Sequence, residues 1–340
     1  MPRHSIALSV LDQSPIRSGA TPADAVRETI ELARIADRLG YRRYWLAEHH
    51  SSAGLAGTTP EVLIARVAAE TRHMRIGSGG VMLPHYSALK VAENFRMLET
   101  LYPGRIDLGI GRAPGSDQRT ARALQHGPGA LGIEEFPNQL ADLAGFLRND
   151  LEAGHPFAGI EAMPTGPTVP EIWMLGSSDQ SAAYAAHFGF AFSFAQFIAG
   201  VSGAQVVDAY RRYFTPSAWS KEPRASVGIS VVTADTEDEA RRLAKSRNLW
   251  LVRLATGHTG PFPSPEEADA YPYTDRERAF IRASAGRSVV GDVAQVKARL
   301  TEMAEEYGVD ELVIVTICHD FRARVHSYEL LAAAFDLPAR

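Results

Sequence analysis

Strand-like and helix-like patterns alternate along this chain of 340 residues, and that alternation limits the possible folds more than any single motif does. Short runs rich in β-branched and aromatic residues read as strands at Ser5 to Leu11, Arg43 to Ala47, Met74 to Met82, Arg105 to Ile110, Glu171 to Leu175, Ala191 to Phe194, Ser226 to Val232 and Glu311 to Thr316. Between them apolar residues recur at helical spacing, as at Val26, Ile30, Ala33 and Ala36 and again at Ala88, Val91, Ala92, Phe95 and Leu98. Each such segment offers one face to a sheet. The punctuation agrees: Thr21 is an N-cap with Pro22 behind it and Gly40 as terminator, Thr59-Pro60-Glu61 opens a second helix, Asp292 opens the last long one, and Gly189 and Gly308 follow two helix ends.

Alternating β and α, with no Pro/Gly/Ser-rich linker between halves, favours a parallel sheet closed into a (β/α)8 TIM barrel over a doubly wound open sheet, with residues 1–340 as one domain. Two spans exceed a minimal barrel, about 113–170 after strand four and about 253–287 after strand seven, and are expected as insertions. The second carries Gly257, Gly260, Pro261, Pro263, Pro265 and Pro272 with Phe262, Tyr271 and Tyr273, the composition of a mobile flap over a barrel mouth.

A formal net charge of −5 without a long single-sign run speaks against a nucleic-acid groove or an anionic membrane as partner, and Arg42-Arg43 reads as a solvated turn. No stretch reaches the roughly 18 apolar residues of a bilayer span, and the first apolar run meets Asp12 and Pro15 too early for a secretory core. A lone cysteine, Cys318, builds neither a disulfide framework nor a multi-cysteine zinc site, so a cytoplasmic location is expected, with Cys318 an inert buried thiol.

Glu48-His49-His50 ends the second strand, and the residues alone leave two readings: a reactive acid–imidazole site, or a structural ion pair beside a core histidine. No metal site is expected, because adjacent side chains on a strand point to opposite faces. The run from Gly77 to Pro84 allows either a tight bend or the close approach of a flat ligand. Neither it nor the segment from Gly109 to Pro114 matches the dinucleotide fingerprint, since Met82 and Pro114 stand where the last glycine is required. Gly176-Ser177-Ser178-Asp179-Gln180-Ser181 opens a helix and reads as a phosphate site or an ordinary N-cap, with Asp179 partly opposing a dianion. Arg112 is either the cationic partner of that phosphate or part of a rim salt bridge. Phe188, Phe190, Phe192, Phe194 and Phe197 are expected to fill the barrel and its helix layer.

The ordered motifs AEHHSSAGLAGTTPEVLIARVA, RIGSGGVMLPHYSALKVAEN and GRIDLGIGRAPG, within Tyr44 to Gly115, followed by IWMLGSSDQSAAYAAHFGF, resemble the bacterial luciferase-like flavin-dependent monooxygenase family. The resemblance implies a TIM barrel that binds reduced FMN (FMNH2) at its C-terminal mouth and uses O2 as co-substrate. It further implies a C4a-hydroperoxyflavin that passes one oxygen atom to a small organic substrate, and a separate NAD(P)H:flavin reductase as the source of FMNH2. By the same resemblance His49 is the catalytic histidine, suited to proton transfer near neutral pH by an imidazole pKa of about 6.5. The cofactor-binding set it implies is Glu48, His50, Gly79, Gly80, Arg112, Gly176, Ser177, Ser178 and Ser181, with a cis Gly79–Gly80 peptide and with Arg112, Ser178 and Ser181 on the phosphate. Gly111 stands where bacterial luciferase has a reactive cysteine, which speaks against light emission. Family relatives also imply a homodimer through helices beside strands two and three, including Pro60 to Ala69. Two alternatives stand beside this reading: an F420-dependent hydride-transfer oxidoreductase on the same barrel, and a non-catalytic flavin-binding protein.

Overall fold

A computed structural model describes residues 6–113, 117–125, 132–199 and 201–340. Ser5, Pro114 and Gly115, each part of an expectation above, lie outside them. The strands are β1 (Ala7–Asp12), β2 (Arg43–Leu46), β3 (Arg75–Met82), β4 (Ile106–Gly111), β5 (Glu171–Gly176), β6 (Ala191–Ala195), β7 (Ala225–Ala234), β8 (Ser288–Asp292) and β9 (Glu311–Val315). The helices are α1 (Pro22–Leu39), α2 (Pro60–Glu70), α3 (Ala88–Leu101), α4 (Gln118–Leu124), α5 (Phe136–Arg148), α6 (Asp179–Phe188), α7 (Ala204–Tyr213), α8 (Glu237–Ala255), α9 (Pro265–Ala270), α10 (Asp275–Ala283), α11 (Val293–Tyr307) and α12 (Phe321–Ala334).

The order β6-β5-β4-β3-β2-β1-β9-β7, with β6 also paired to β7, closes a parallel eight-stranded TIM barrel. All eight expected strands are in it. β8 was not foreseen. Val227 of β7 pairs with Phe194 of β6 and Leu312 of β9, whereas Ser230 pairs with Val315 of β9 and Ser288 of β8, so β8 continues the edge of β7 that β6 leaves.

This edge extension carries the second insertion. α11 occupies the outer ring against α7 and α12, while α8 packs on β8 and the upper part of β7. The excursion therefore begins at α8, ahead of Arg253. The span expected as a loose flap is built instead on α9 and α10, opened by capping boxes at Ser264 and Thr274. Asp292 does open α11 with a capping box, yet the last helix is α12.

The barrel interior is layered. At the bottom Arg43 is buried and donates to Asp107 at 2.8 Å, Glu311 at 3.0 Å and Glu171 at 3.1 Å. The expectation of a solvated Arg42-Arg43 turn thus holds for exposed Arg42 and fails for Arg43, the first residue of β2, whose side chain points into the ring. The next layer is Trp45 against Trp173, edge to face at 5.3 Å, with the Arg43 guanidinium 4.7 Å from the Trp173 ring centroid. Ionic floor and tryptophan layer together close the barrel below its C-terminal mouth.

One side of the mouth is covered by three loops. The Ile16 amide donates to Gly54 O, the Phe262 amide to Ile16 O and the Ser18 amide to Phe262 O, lacing the loops after β1 and β2 to the 256–264 segment. Phe262 is buried among Leu11, Trp45, Val313 and Trp250 as the plug. Among the described residues no helix is long and apolar enough to cross a membrane.

Candidate active site

Above the tryptophan layer lies a cavity of about 310 Å³. Leu11, Trp45, Met82, Leu175, Phe197 and Val313 give it apolar walls, and Gly79, Gly80, Gly111 and Gly228 line it without side chains. Glycine is required on β3 because neighbouring strands crowd it. A Cβ on Gly79 would sit 2.5 Å from Leu11 Cδ1 and 2.9 Å from Trp45 Cβ, and one on Gly80 would sit 2.7 Å from Gly109 O. The Gly79–Gly80 peptide is cis.

One end of the cavity is polar. Arg112 follows β4, and Ser177, Ser178 and Ser181 surround the start of α6. Ser178 has extended N-cap dihedrals, yet its side chain caps no amide; its Oγ lies 3.3 Å from Ser181 Oγ. The first amides of α6 therefore keep their donors free at the positive end of the helix. Arg112 donates to Gln180 Oε1, and no carboxylate among the described residues pairs with it. Asp179 is exposed and absent from the lining. A guanidinium, clustered hydroxyls and open helix amides are donors of the kind that can hold a phosphate-sized anion.

Gly79, Gly80, Arg112, Gly176, Ser177, Ser178 and Ser181 thus meet in one cavity, whereas Glu48, His49 and His50 do not line it. Glu48 is fully buried one step behind the wall: Oε2 accepts from the Met82 amide at 3.1 Å, and Oε1 from Tyr86 OH at 2.7 Å, with His50 Nε2 also 2.7 Å away. The carboxylate fixes the backbone of Met82, which does line the cavity. His49 donates its amide to Gly57 O, and its Nδ1 is sealed from solvent without a partner among the described residues. Burial first, and the neighbouring His50 second, push its pKa down to about 4, so the ring is neutral at pH 7 and differs from the imidazole near 6.5 expected from sequence. Among the described residues no group of three or more His, Cys, Asp or Glu is placed to hold a metal. Cys318 is buried, and burial raises its thiol to about 12.

Sequence reasoning missed the β6, β7 and β9 side of the cavity, where Ser193, Ala195, Phe197, Gly228 and Val313 lie. Phe190, Phe192 and Phe194 do pack into the core, but the Phe197 amide bonds to Gly228 O and its ring faces the cavity. The alternation of β7 held a signal, since Gly228 interrupts a run of β-branched residues.

A family model described as luciferase-like monooxygenase matches residues 5–311. The chain belongs to the luciferase-like monooxygenase family. It is 41% identical over 328 residues to a luciferase-like monooxygenase of Escherichia coli, covering 96% of each chain. It is 38% identical over 330 residues to an N-acetyl-S-alkylcysteine monooxygenase of Bacillus subtilis, covering 97% of this chain and 98% of that one. Among solved structures, apo-MsnO8 superposes with a TM-score of 0.91 at 40% identity, covering 98% of this chain and 100% of that one. The same fold is shared with a diketocamphane monooxygenase in complex with FMN and with an F420-dependent secondary alcohol dehydrogenase, at 19% and 12% identity.

Proposed function

We propose that this enzyme is a flavin-dependent monooxygenase that uses reduced FMN and O2 to place one oxygen atom on a small organic substrate. The observation that carries the reading is the single cavity with apolar, glycine-lined walls at one end and Arg112 with the uncapped start of α6 at the other. Bound there, a reduced flavin supplies the electrons that activate O2. Arg112, Ser177, Ser178 and Ser181 hold the phosphate. The Gly79–Gly80 backbone, which presents no side chain to the cavity, would leave room for the flat ring system. Leu11, Trp45 and Leu175 keep water from the reacting face.

His49 is the proposed proton-handling residue. Its ring is neutral at pH 7 and is not among the residues that line the cavity, while Glu48, bonded to His50, braces the Met82 amide of the β3 wall. Delivery of the reduced flavin by a separate NAD(P)H:flavin reductase is the route that the resemblance of the motifs implies, and glycine-rich segments without the dinucleotide spacing are compatible with it.

The B. subtilis relative is named for N-acetyl-S-alkylcysteines, so thioethers head the substrate panel. The enzyme is incubated with photoreduced FMN, ¹⁸O₂ and that panel, extended to ketones and aldehydes, and products are read by mass spectrometry. The reading predicts incorporation of one labelled atom in at least one product. Absence of label throughout the panel, with reduced F420 instead supporting hydride transfer to a ketone, would refute it.

A further inference from the structure

Two arginines of the insertion after β7 have no counter-charge among the described residues. Arg247 stands on the stripe of α8 that also carries Ala240, Leu243 and Trp250, between the apolar cluster on upper β7 and the Phe262 plug. It is half-buried and makes no hydrogen bond or ion pair with any described residue. Arg287 ends the short 3-10 turn Ala285–Arg287, and its Nε is sealed from solvent without a partner among the described residues. Burial, then the positive charge of Arg287, lowers Arg247 to about 10. Other arginines near the core have partners: Arg17 pairs with Glu28, Arg43 with Asp107 and Glu311, and Arg324 with Asp12, while Arg96 donates to Pro164 O and Leu147 O. Arg247 lines one groove with Ser284, Ala285 and Ser288, the residues that flank Arg287, so two guanidinium groups without a carboxylate partner among the described residues stand in one region, where a bidentate anion would satisfy both donors and charge.

The pair is tied to the cavity on the side away from Arg112. Gln196, between cavity-lining Ala195 and Phe197, donates its side-chain amide to Gly286 O at 3.4 Å. Ser288, next to Arg287, pairs with Ser230, two residues beyond cavity-lining Gly228. A groove of about 450 Å³ between α8 and α10 is lined by Arg241, Arg247, Asn248, Arg282, Ser284 and Ser288, the last next to Arg287.

We propose that Arg247 and Arg287 form a subsite for a carboxylate on the organic substrate, holding that end at the rim while the rest of the molecule reaches the cavity. The proposal rests on the reading of the cavity as the oxygenation site. It adds a substrate class: organic acids, gripped independently of the cofactor phosphate.

The test is a calorimetric titration of the full-length protein with 5-phenylpentanoate and with its uncharged primary amide. The carboxylate should bind about tenfold more tightly than the amide, as loss of a charged hydrogen-bond pair predicts. Arg247→Met and Arg287→Met should each remove that preference while leaving amide affinity and FMN affinity unchanged, and Arg287→Lys should restore part of it. Equal affinity for acid and amide, or a preference that survives in the double variant, would overturn the proposal. So would a preference abolished by Arg112→Met alone, because the anion would then be reading the phosphate site. If FMN fails to bind but the acid preference behaves as described, the monooxygenase reading falls and the carboxylate subsite stands.

Discussion

An imidazole in water titrates near pH 6.5, and His49 is held below that because its ring is buried beside His50. The unfolded chain therefore takes up a proton between about pH 6.5 and 4 that the native protein refuses. Stability is lost as pH falls through that window. Urea unfolding at pH 7 and pH 5 should show the wild type losing about 1 to 2 kcal/mol through this residue, allowing for its partial exposure, and His49→Gln should be spared that loss. An identical acid limb in the variant would mean that His49 titrates normally. Arg112→Ala is expected to weaken FMN binding by about 1.5 to 3 kcal/mol, measured by fluorescence quenching, with little change in melting temperature. At this scale the sequence was partly legible. The residues alone leave Arg112 and Ser178 between a phosphate site and a rim salt bridge or an ordinary N-cap, and the resemblance of the surrounding motifs to a known family singles out Arg112, Ser178 and Ser181 for the phosphate. The inward turn of Arg43 depends on which phase of β2 faces the ring, and an adjacent Arg42 in solvent hides it.

The elements most easily read were those with strong periodicity and clear caps, such as α1 between Thr21 and Gly40. β8 escaped because five residues, SVVGD, run straight into the Asp292 cap and resemble the loop before a helix. α12 escaped because its apolar residues are spread around the helix, and its anchor is polar. Arg324 is buried on α12, donating to Asp12 Oδ1 at 2.7 Å and to Thr316 O at 2.7 Å, while Tyr44 OH donates to Asp12 Oδ2 at 2.5 Å. Burial alone would raise the Asp12 pKa; Arg324, Tyr44 and the Ser14 amide outweigh it and hold Asp12 below the usual carboxylate range. Arg324→Met strands that carboxylate in the barrel wall. It should cost about 3 to 5 kcal/mol in denaturant unfolding, against less than about 1 kcal/mol for Arg241→Ala on the exposed face of α8. Comparable small losses for both would show that α12 is not anchored through this pair.

Across the whole molecule, alternation gave the closed barrel, while the insertion could not be bounded from sequence because α8 has the length and capping of an ordinary barrel helix. The outer surface also carries a proposal. Val62 on α2 is 70% exposed, and Met97 and Leu101 on α3 are 50% and 56% exposed, an apolar face beside β2 and β3 suited to a second copy of the chain. Light scattering should give about twice the 37.0 kDa chain mass, and Val62→Glu with Leu101→Glu should return the monomer. A wild-type monomer would remove the dimer from the account. The central claim is that the cavity between Gly79, Arg112 and α6 is a reduced-FMN site, and an anaerobic titration of wild type and Arg112→Ala with photoreduced FMN and with reduced F420 tests it most directly. FMN should bind saturably and more weakly to Arg112→Ala, with F420 bound far more weakly than FMN to the wild type. Tight F420 binding with no FMN binding would contradict it.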